Sequence, residues 1–213
     1  MLGQEVANGS SGTLMVGVTG NSGCGQSTVA GMAAGFARGV CSLDETGHRL
    51  LRKPWVLREL ESQLGRRGLA EMSRMELRRV LGEIVFSDPL SLRKLNSVVH
   101  PRMAGWARLA AARLSGRGGI WILEGALIYE LGLDGVMDTM VVVRDSFARC
   151  AERLGRRDGI PVETTAARWE GQLPLEDKAG RADHLVDNSS DMDYLRRQVI
   201  SIFAEMEKSL TFD

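Results

Sequence analysis

The chain has 213 residues, of which 44% are hydrophobic and 25% charged, proportions typical of one folded domain rather than of a disordered or fibrous protein. Basic and acidic residues balance at 27 each, so no surplus of charge indicates a nucleic-acid partner. The three cysteines are widely spaced, which indicates neither a disulfide framework nor a zinc site and fits a reducing compartment. The sequence shows neither a signal-peptide pattern nor an apolar run of membrane-spanning length, so we expect a cytoplasmic protein.

The first elements are a strand, a glycine-rich loop and a helix. Residues 14–19, LMVGVT, form a short apolar run rich in β-branched residues, which predicts a buried parallel strand. The glycine-rich residues 20–28 come next, and residues 27–39 show helical spacing that closes on Gly39. A second short strand is predicted at residues 40–43. The order of these elements is the order that a phosphate-binding loop requires.

The rest of the chain alternates between helical and strand patterns. Residues 44–115 are predicted to be almost wholly helical, a stretch too long for a simple crossover between strands. Three further strands are predicted, at residues 119–129, 139–143 and 184–187. Two further helical stretches are predicted, an arginine-rich one at residues 145–180 and an amphipathic one at residues 194–208. Five short strands separated by helices predict an α/β fold with a parallel sheet and an inserted helical region.

The loop GNSGCGQST, residues 20–28, matches a phosphate-binding loop at every position but one. Gly20, Gly23 and Gly25 let backbone N–H groups turn toward a phosphate, and the following helix N-terminus adds partial positive charge. Gln26 stands where such loops carry lysine, so a neutral donor replaces the ammonium that follows charge into the transition state. The alternative interpretation is a glycine-rich turn that binds no ligand.

The other members of the predicted nucleotide site in this loop are Ser22, Cys24, Ser27 and Thr28. Ser27 is placed to give a hydroxyl ligand to Mg²⁺, and Thr28 can contact a phosphate from the next helical position. Cys24 lies close to the helix N-terminus, a position that lowers a thiol pKa and favours oxidation. The alternative for Cys24 is a small residue that fills the loop without a redox role.

Six segments of the chain, in order, resemble the dephospho-coenzyme A kinase family, P-loop enzymes that phosphorylate the ribose 3′-hydroxyl of dephospho-CoA. The segments are VGVTGNSGCGQSTVA, DETGHRLL, FSDPLSLRKLNSVVHPRM, ILEGALIYELGLDGVMDTMVVV, RLGRRDGIPVETTAARWEGQLP and RADHLVDNSS. The resemblance extends from about residue 14 to residue 205. The resemblance depends on the presence of all six segments in the family's order, because any single segment is only weak evidence for the family.

The resemblance implies a P-loop kinase fold with a small helical lid. The first residues (1–12) are predicted from the sequence itself to be a disordered tail. The resemblance implies a nucleotide-binding core (13–43, 116–147 and 181–213), a helical acceptor-binding region (44–115) and a lid (148–180). It also implies ATP and Mg²⁺ as cofactors and dephospho-CoA as the small-molecule substrate. We expect a monomer or weak homo-oligomer, with neither nucleic acid nor membrane as a partner.

Several charged residues match catalytic positions of the family. Asp44 matches the general base on the acceptor hydroxyl, and a carboxylate just past a strand faces the ligand crevice of α/β proteins. Its alternative role is to cap the helix that follows. Arg153 and Arg157 lie one helical turn apart and match the lid arginines that close over the phosphates, the alternative being a surface helix with salt bridges. Candidates to replace the lost ammonium also include Arg149, Arg156 and Arg168.

Other matches concern the ligands and the departures from the family. Asn188 matches a loop that cradles adenine, or is a turn former. His100 and Glu130 match acceptor-site positions, with a structural capping role as the alternative for the histidine. Ser42 stands where the family usually has a second aspartate. Because Gln26 and Ser42 replace groups of opposite charge, the net charge of the site is unchanged while metal, phosphate and acceptor are held less firmly.

One glutamate lies within the apolar run of residues 119–129 and another follows it directly. Glu124 is predicted to lie within the strand and Glu130 at its end. A buried glutamate must be paired, so Glu124 either acts near the phosphates or is satisfied by an arginine.

The sequence leaves three functions open. The first is a kinase that transfers the γ-phosphoryl group of ATP to dephospho-CoA. The second is a degenerate P-loop protein that binds nucleotide or CoA with little or no kinase activity. The third is another small-metabolite P-loop kinase, which the long helical region and the HP segment disfavour.

Overall fold

The computed structural model describes residues 12–210, without the side chains of residues 85–87. Five parallel strands form one sheet in this part of the chain. They are β1 (Thr13–Thr19), β2 (Ala37–Ser42), β3 (Gly119–Glu124), β4 (Thr139–Arg144) and β5 (His184–Asp187). Their order across the sheet is β2-β3-β1-β4-β5, which confirms the predicted α/β fold with a five-stranded parallel sheet. The predicted tail lies outside the described residues except for Gly12.

Helices connect the strands. Those in the described part of the chain are α1 (Gln26–Ala33), α2 (Leu43–Leu50), α3 (Pro54–Leu64), α4 (Arg74–Ser87), α5 (Pro89–Leu114), α6 (Phe147–Asp158), α7 (Val162–Glu170), α8 (Leu175–Ala179) and α9 (Met192–Ser209). The run α2–α5 confirms the predicted helical stretch, and α6–α8 lie in the arginine-rich segment. Over residues 12–210, no helix is long and apolar enough to cross a bilayer. The regional boundaries implied by the resemblance stay predictions.

Strand side chains alternate between the two faces of the sheet. One face packs with α1 and α9 and carries Val16, Val18, Ile120, Ile122, Val141 and Val143. The other face packs against α5 and carries Leu123, Met140 and Val142. Because helices cover both faces, the strands are apolar on both sides, as buried parallel strands usually are. Their carboxyl ends meet at one edge, where β2 ends at Ser42 and β3 at Glu124.

Local signals set the starts of the helices in the helical stretch. Ser73 and Glu76 form a capping box at the start of α4. Asp88 accepts hydrogen bonds from two backbone N–H groups at the start of α5, and Pro89 occupies the first turn. A third apolar core lies among α3, α4 and α5, and includes Val56, Leu60, Leu69, Val80 and Val98. These helices therefore have a core of their own beside the sheet.

The structure corrects the predicted end of the first helix. Helix α1 ends at Ala33 rather than at Gly39, and β2 begins at Ala37. Ala37 and Gly39 pair with β3, so the backbone of this segment is satisfied in the sheet. The long-range pairing outweighs the helical pattern of small residues that the sequence shows. Leu43, predicted as a strand residue, starts α2 instead.

The third strand is also shorter than predicted. Strand β3 ends at Glu124, and the apolar residues that follow, including the buried Ile128 and Tyr129, lie in turns that pack into the core. A continuous apolar run cannot distinguish a strand from a buried turn. Glu124 is therefore the last residue of the strand, and Glu130 does not lie at a strand end.

Candidate active site

The loop after β1 has a backbone that requires glycine. Gly23 and Gly25 have φ angles of 88° and 106°, in the region that L side chains rarely adopt. A Cβ atom on Gly23 would lie 2.6 Å from the carbonyl oxygen of Cys150, and one on Gly25 would lie 2.5 Å from the Asn188 side-chain nitrogen. The loop is therefore packed so closely against α6 and the residue after β5 that larger residues are excluded.

The side chain of Gln26 is buried and folded onto its own loop. Its Nε2 donates to the carbonyl oxygens of Gly20 and Asn21 at 2.8 and 2.9 Å, and its Oε1 accepts from the N–H of Gly25 at 3.1 Å. The carboxamide thus holds the loop in shape without a charge. It also uses the Gly25 N–H, one of the backbone donors that a phosphate-binding loop offers its ligand.

The last turn of α7 and the residues that follow it hold Ser22 through three hydrogen bonds. The indole N–H of Trp169 donates to the carbonyl oxygen of Ser22 at 2.8 Å. Gln172 accepts from the Ser22 N–H and donates to its hydroxyl, both at 3.0 Å. Sequence reasoning missed Trp169 and Gln172, because nothing in their local pattern marks a long-range contact to the loop. The arginine-rich segment is therefore hydrogen-bonded directly to the loop.

Arg153 lies against the outer side of the loop. Its guanidinium donates to the carbonyl oxygens of Gly23 at 3.0 Å and Asn188 at 2.9 Å, and it forms an ion pair with the buried Asp145. The Asn188 side chain in turn donates to the carbonyl oxygen of Cys24 at 2.8 Å. Both residues brace the loop, and the adenine contact implied for Asn188 stays a prediction.

Two fully buried thiols lie beneath the loop, with the Sγ atoms of Cys24 and Cys150 3.4 Å apart. The hydrogen bond donated by Cys150 lowers the pKa of Cys24 and raises the pKa of Cys150. Neither thiol lies on the wall of a described cavity near the loop. Their packing agrees with the interpretation of Cys24 as a residue that fills the loop.

A cavity of about 520 Å³, which we call the loop cleft, opens between the loop, α2 and α6. Its walls include Gln26, Ser27, Thr28, Ser42, Asp44, Glu124, Arg153, Arg156, Arg157 and Arg168. Ser42 is the N-cap of α2, since its side chain accepts from the N–H of Glu45, and Asp44 therefore is not the cap. Asp44 lies in the first turn and faces the loop cleft.

Two carboxyl groups in the loop cleft have raised pKa values. Desolvation by the surrounding cleft walls raises the pKa of Asp44, although its side chain is exposed, and the positive charges of His48, Arg168 and Arg157 oppose the rise. Burial also raises the pKa of Glu124, with the negative charge of Asp44 adding to it. Asp44 and Glu124 are therefore neighbouring carboxyl groups that both bind a proton more readily than ordinary carboxylates do.

Three arginines bring positive charge to the loop cleft in addition to Arg153. Arg157 is 67% exposed and pairs with its neighbour Asp158 at 2.6 Å. Arg156 pairs with Glu152 at 2.7 Å. Arg168 has no hydrogen bond or ion pair of its guanidinium to the described residues. Arg149, also a candidate from the sequence, pairs with Asp145 and does not line the loop cleft.

A second cavity of about 420 Å³, the helical cleft, adjoins the loop cleft and shares Ser22, Asp44, Ala126 and Arg168 with it. His100 lies on its wall, where burial lowers the imidazole pKa. Its position inside α5, before Pro101, is not a helix end, so the capping alternative for this histidine is wrong.

Glu130 lines neither cleft. It pairs at 2.8 Å with Lys178, a fully buried lysine that the sequence reasoning missed, and it accepts from the N–H of Leu173 at 2.9 Å. Lys178 also donates to the carbonyl oxygen of Ala126 at 2.8 Å. The pair therefore joins α8 to the turn after β3, and the acceptor role of Glu130 stays a prediction.

Oxygen donors suitable for Mg²⁺ lie on the wall of the loop cleft, namely the Ser27 hydroxyl and the carboxylate of Glu124. The described residues contain no cluster of three or more histidine, cysteine, aspartate or glutamate side chains suited to a metal. A magnesium ion held by one hydroxyl, one carboxylate and nucleotide phosphates fits this donor set, because Mg²⁺ seldom has an all-protein cage.

Comparisons with known proteins agree with this geometry. A family model described as dephospho-CoA kinase matches residues 14–193. The dephospho-CoA kinase of Aquifex aeolicus is 33% identical over 91% of this chain and 97% of its own length. That of Syntrophotalea carbinolica is 31% identical over 91% and 92%.

Solved structures share the fold of this chain. The crystal structure of TT1252 from Thermus thermophilus has a TM-score of 0.68 at 29% identity and covers 92% of this chain and 98% of its own. A dephospho-CoA kinase from Campylobacter jejuni, with a TM-score of 0.66 at 21% identity, covers 93% and 98% and shares the fold. The chain belongs to the dephospho-CoA kinase family.

Proposed function

We propose that the loop cleft and the helical cleft together transfer the γ-phosphoryl group of ATP to the ribose 3′-hydroxyl of dephospho-CoA, giving coenzyme A. This is the activity of the family, and the chain has the kinase fold that performs it. The observation that carries the proposal is that Asp44 lines both clefts, between a phosphate loop on one side and the helical region on the other.

The donor side of the reaction uses the loop. The N-terminus of α1 and those loop N–H groups that have no partner within the protein bind the phosphates of ATP. The N–H groups of Ser22, Cys24 and Gly25 are already bonded within the protein. Ser27 and Thr28 add hydroxyl groups at the start of α1. When bound, Mg²⁺ neutralises charge on the phosphate oxygens, and Ser27 is the residue of the loop that would hold it.

Arg157 supplies the positive charge that Gln26 lacks. Arg153 is held by three partners and braces the loop, whereas Arg157 is exposed and pairs only with the next residue among those described. Its charge already acts on Asp44 and Glu124 in the loop cleft. A guanidinium donates a fork of hydrogen bonds that matches phosphate oxygens, so Arg157 can take over the transition-state charge.

The acceptor side uses Asp44. A carboxylate in the first turn of α2, at the boundary of the two clefts, orients the 3′-hydroxyl and takes its proton. Ser42, in the place of an aspartate, caps α2 and leaves Asp44 as the base. His100 lies on the wall of the helical cleft, where it contacts the acceptor.

A pH profile tests the role of Asp44. Because desolvation by the cleft walls raises the pKa of Asp44, kcat/KM for dephospho-CoA is expected to fall as the pH falls through a value above the ordinary carboxyl value of about 3.9. The base must be unprotonated, so the activity is present above that pKa and lost below it. The assay uses saturating ATP, so that the pH dependence of ATP binding does not affect the measured pH profile. An acidic limb at or below the ordinary value contradicts the assignment.

The second candidate is a protein that binds nucleotide or CoA without turnover. The observation that favours it is the Gln26 carboxamide, which is neutral and already bonded to the Gly25 N–H. The expected cytoplasmic location, the monomeric or weakly oligomeric state and the lack of a nucleic-acid partner stay predictions.

A product assay separates the two candidates. The purified protein with ATP, Mg²⁺ and dephospho-CoA is expected to form ADP and coenzyme A in equal amounts, measured by chromatography against authentic standards. An acceptor with a 3′-deoxyribose should give no ADP above the rate without acceptor. If calorimetry shows that both substrates bind but no coenzyme A forms, the binding-protein interpretation holds instead.

A further inference from the structure

A third cavity, the arginine pocket, opens beside the helical cleft with a volume of about 440 Å³. Four arginines line it, two from α4, one from the residues after α2 and one from α7: Arg74, Arg78, Arg52 and Arg168. Its floor is apolar and includes Leu77 and Leu81, which are buried in the core of the helical region.

The arginine pocket has an excess of positive charge. Its lining includes no aspartate or glutamate among the described residues. None of the four guanidinium groups forms a hydrogen bond or an ion pair with another of the described residues. Asp158, whose pKa the charges of Arg168 and Arg78 help to lower, is already paired with Arg157. The arrangement is typical of an anion site, since arginine forks are usually bonded to carboxylates or phosphates.

The arginine pocket is continuous with the reaction site. It shares His48, Leu51, Leu95 and Arg168 with the helical cleft. The helical cleft in turn shares Asp44 with the loop cleft. A single elongated ligand can therefore extend from Asp44 past Arg168 into the arginine pocket.

We propose that the arginine pocket binds the 5′-diphosphate of the acceptor, and so fixes the direction in which dephospho-CoA enters the protein. The inference rests on the proposed function. The acceptor carries its 3′-hydroxyl and its 5′-diphosphate on the same ribose. With the hydroxyl at Asp44, the diphosphate extends along the groove toward Arg168, Arg78 and Arg74. The apolar floor then lies under the start of the pantetheine arm.

The chain offers a matched control on the same helix. Arg74 and Arg78 are four residues apart and share a face of α4. Arg79 is the next residue, lies outside the arginine pocket and pairs with Glu83 at 2.8 Å on the exposed surface. Arg79→Gln therefore removes one arginine from α4 without touching the pocket.

The test compares Arg74→Gln, Arg78→Gln and the double variant with Arg79→Gln. Each pocket variant is expected to raise KM for dephospho-CoA by about 10-fold, and the double variant by about 100-fold, because each loses a charge-assisted hydrogen bond to phosphate. The KM for ATP should stay within about twofold, since the ATP phosphates lie at the loop. An unchanged KM for dephospho-CoA in the double variant overturns the proposal.

Calorimetric binding of dephospho-CoA separates this proposal from the proposed function. If the wild-type protein binds dephospho-CoA, the pocket variants bind it more weakly and no coenzyme A forms, the pocket assignment holds and the kinase assignment fails. If coenzyme A forms and the pocket variants bind normally, the reverse is true. Circular dichroism and thermal unfolding check folding, and Arg52→Gln gives the same test should an α4 variant not fold.

Discussion

Replacement of Asp44 by asparagine is expected to lower kcat by about 10²- to 10⁴-fold, the usual contribution of a general base. Asparagine keeps the shape of the side chain and can still hydrogen-bond the acceptor hydroxyl, but it cannot take the proton. The pKa of Asp44 is raised by its position between the walls of the loop cleft, which makes the carboxylate a better base near neutral pH. The measurement is a steady-state assay of coenzyme A formation at saturating substrates.

Glu45→Gln is the matched control for Asp44→Asn. Glu45 is the next residue in α2, its side chain is exposed, and it lines neither cleft. The same loss of charge there is expected to leave kcat within about twofold, because surface substitutions have small effects. If Asp44→Asn retains more than a tenth of the wild-type kcat, Asp44 only positions the acceptor.

Replacement of Arg157 by alanine is expected to lower kcat by about 10²- to 10³-fold, the usual effect of removing one transition-state donor. In most phosphate loops a lysine shares this task, whereas here Gln26 is neutral and bonded within the loop. Without Arg157 the transferring phosphoryl group has fewer charged partners in the loop cleft. Single-turnover rates with pre-bound ATP give the effect on chemistry apart from product release.

Arg196→Ala is the control for the loss of a surface arginine. Arg196 lies on α9 and pairs with Asp193 at 3.6 Å, far in the chain from the loop cleft, whose lining does not include it. We expect its kcat to match that of the wild type. If Arg157→Ala and Arg196→Ala have equal rates, Arg157 does not stabilise the transition state. Arg168 is then the next arginine to test.

Much of the fold follows from the sequence, because apolar runs of strand length alternate with helical patterns in the order of a parallel α/β sheet. The two wrong boundaries have a common cause. Residues 37–39 have a helical pattern but pair with β3, and residues 125–129 are apolar but lie in a buried turn. In both places, contacts between residues distant in the sequence determine the local structure. The hydrophobic periodicity of the sequence cannot predict such contacts.

The candidate site was predicted less completely. Residues marked by position, such as Gln26 in the loop and Asp44 after β2, line the loop cleft as the pattern indicates. Trp169, Gln172 and Lys178 could not be found in the same way, because their roles arise from contacts between α7 or α8 and the loops at the sheet edge. Lys178 carries a weak signal, since lysine is rare in this arginine-rich chain.

The structure also separates the two lid arginines that the sequence treats alike. Both lie on one face of α6 and line the loop cleft. Arg153 is bonded to Gly23, Asn188 and Asp145, so its guanidinium is committed to the loop. Arg157 is held only by Asp158 among the described residues. The hypothesis that an arginine replaces the lost ammonium therefore becomes a hypothesis about Arg157.

A double-mutant cycle on Gln26 and Arg157 tests that hypothesis most directly. It compares the kcat cost of Arg157→Ala in the wild-type protein with its cost in the Gln26→Lys protein, where the loop has its ammonium again. If Arg157 stands in for the missing lysine, the cost should be at least about tenfold smaller in the Gln26→Lys protein, a coupling of about 1.4 kcal/mol or more. Equal costs in the two proteins contradict the account, because Arg157 would then act independently of the charge at position 26.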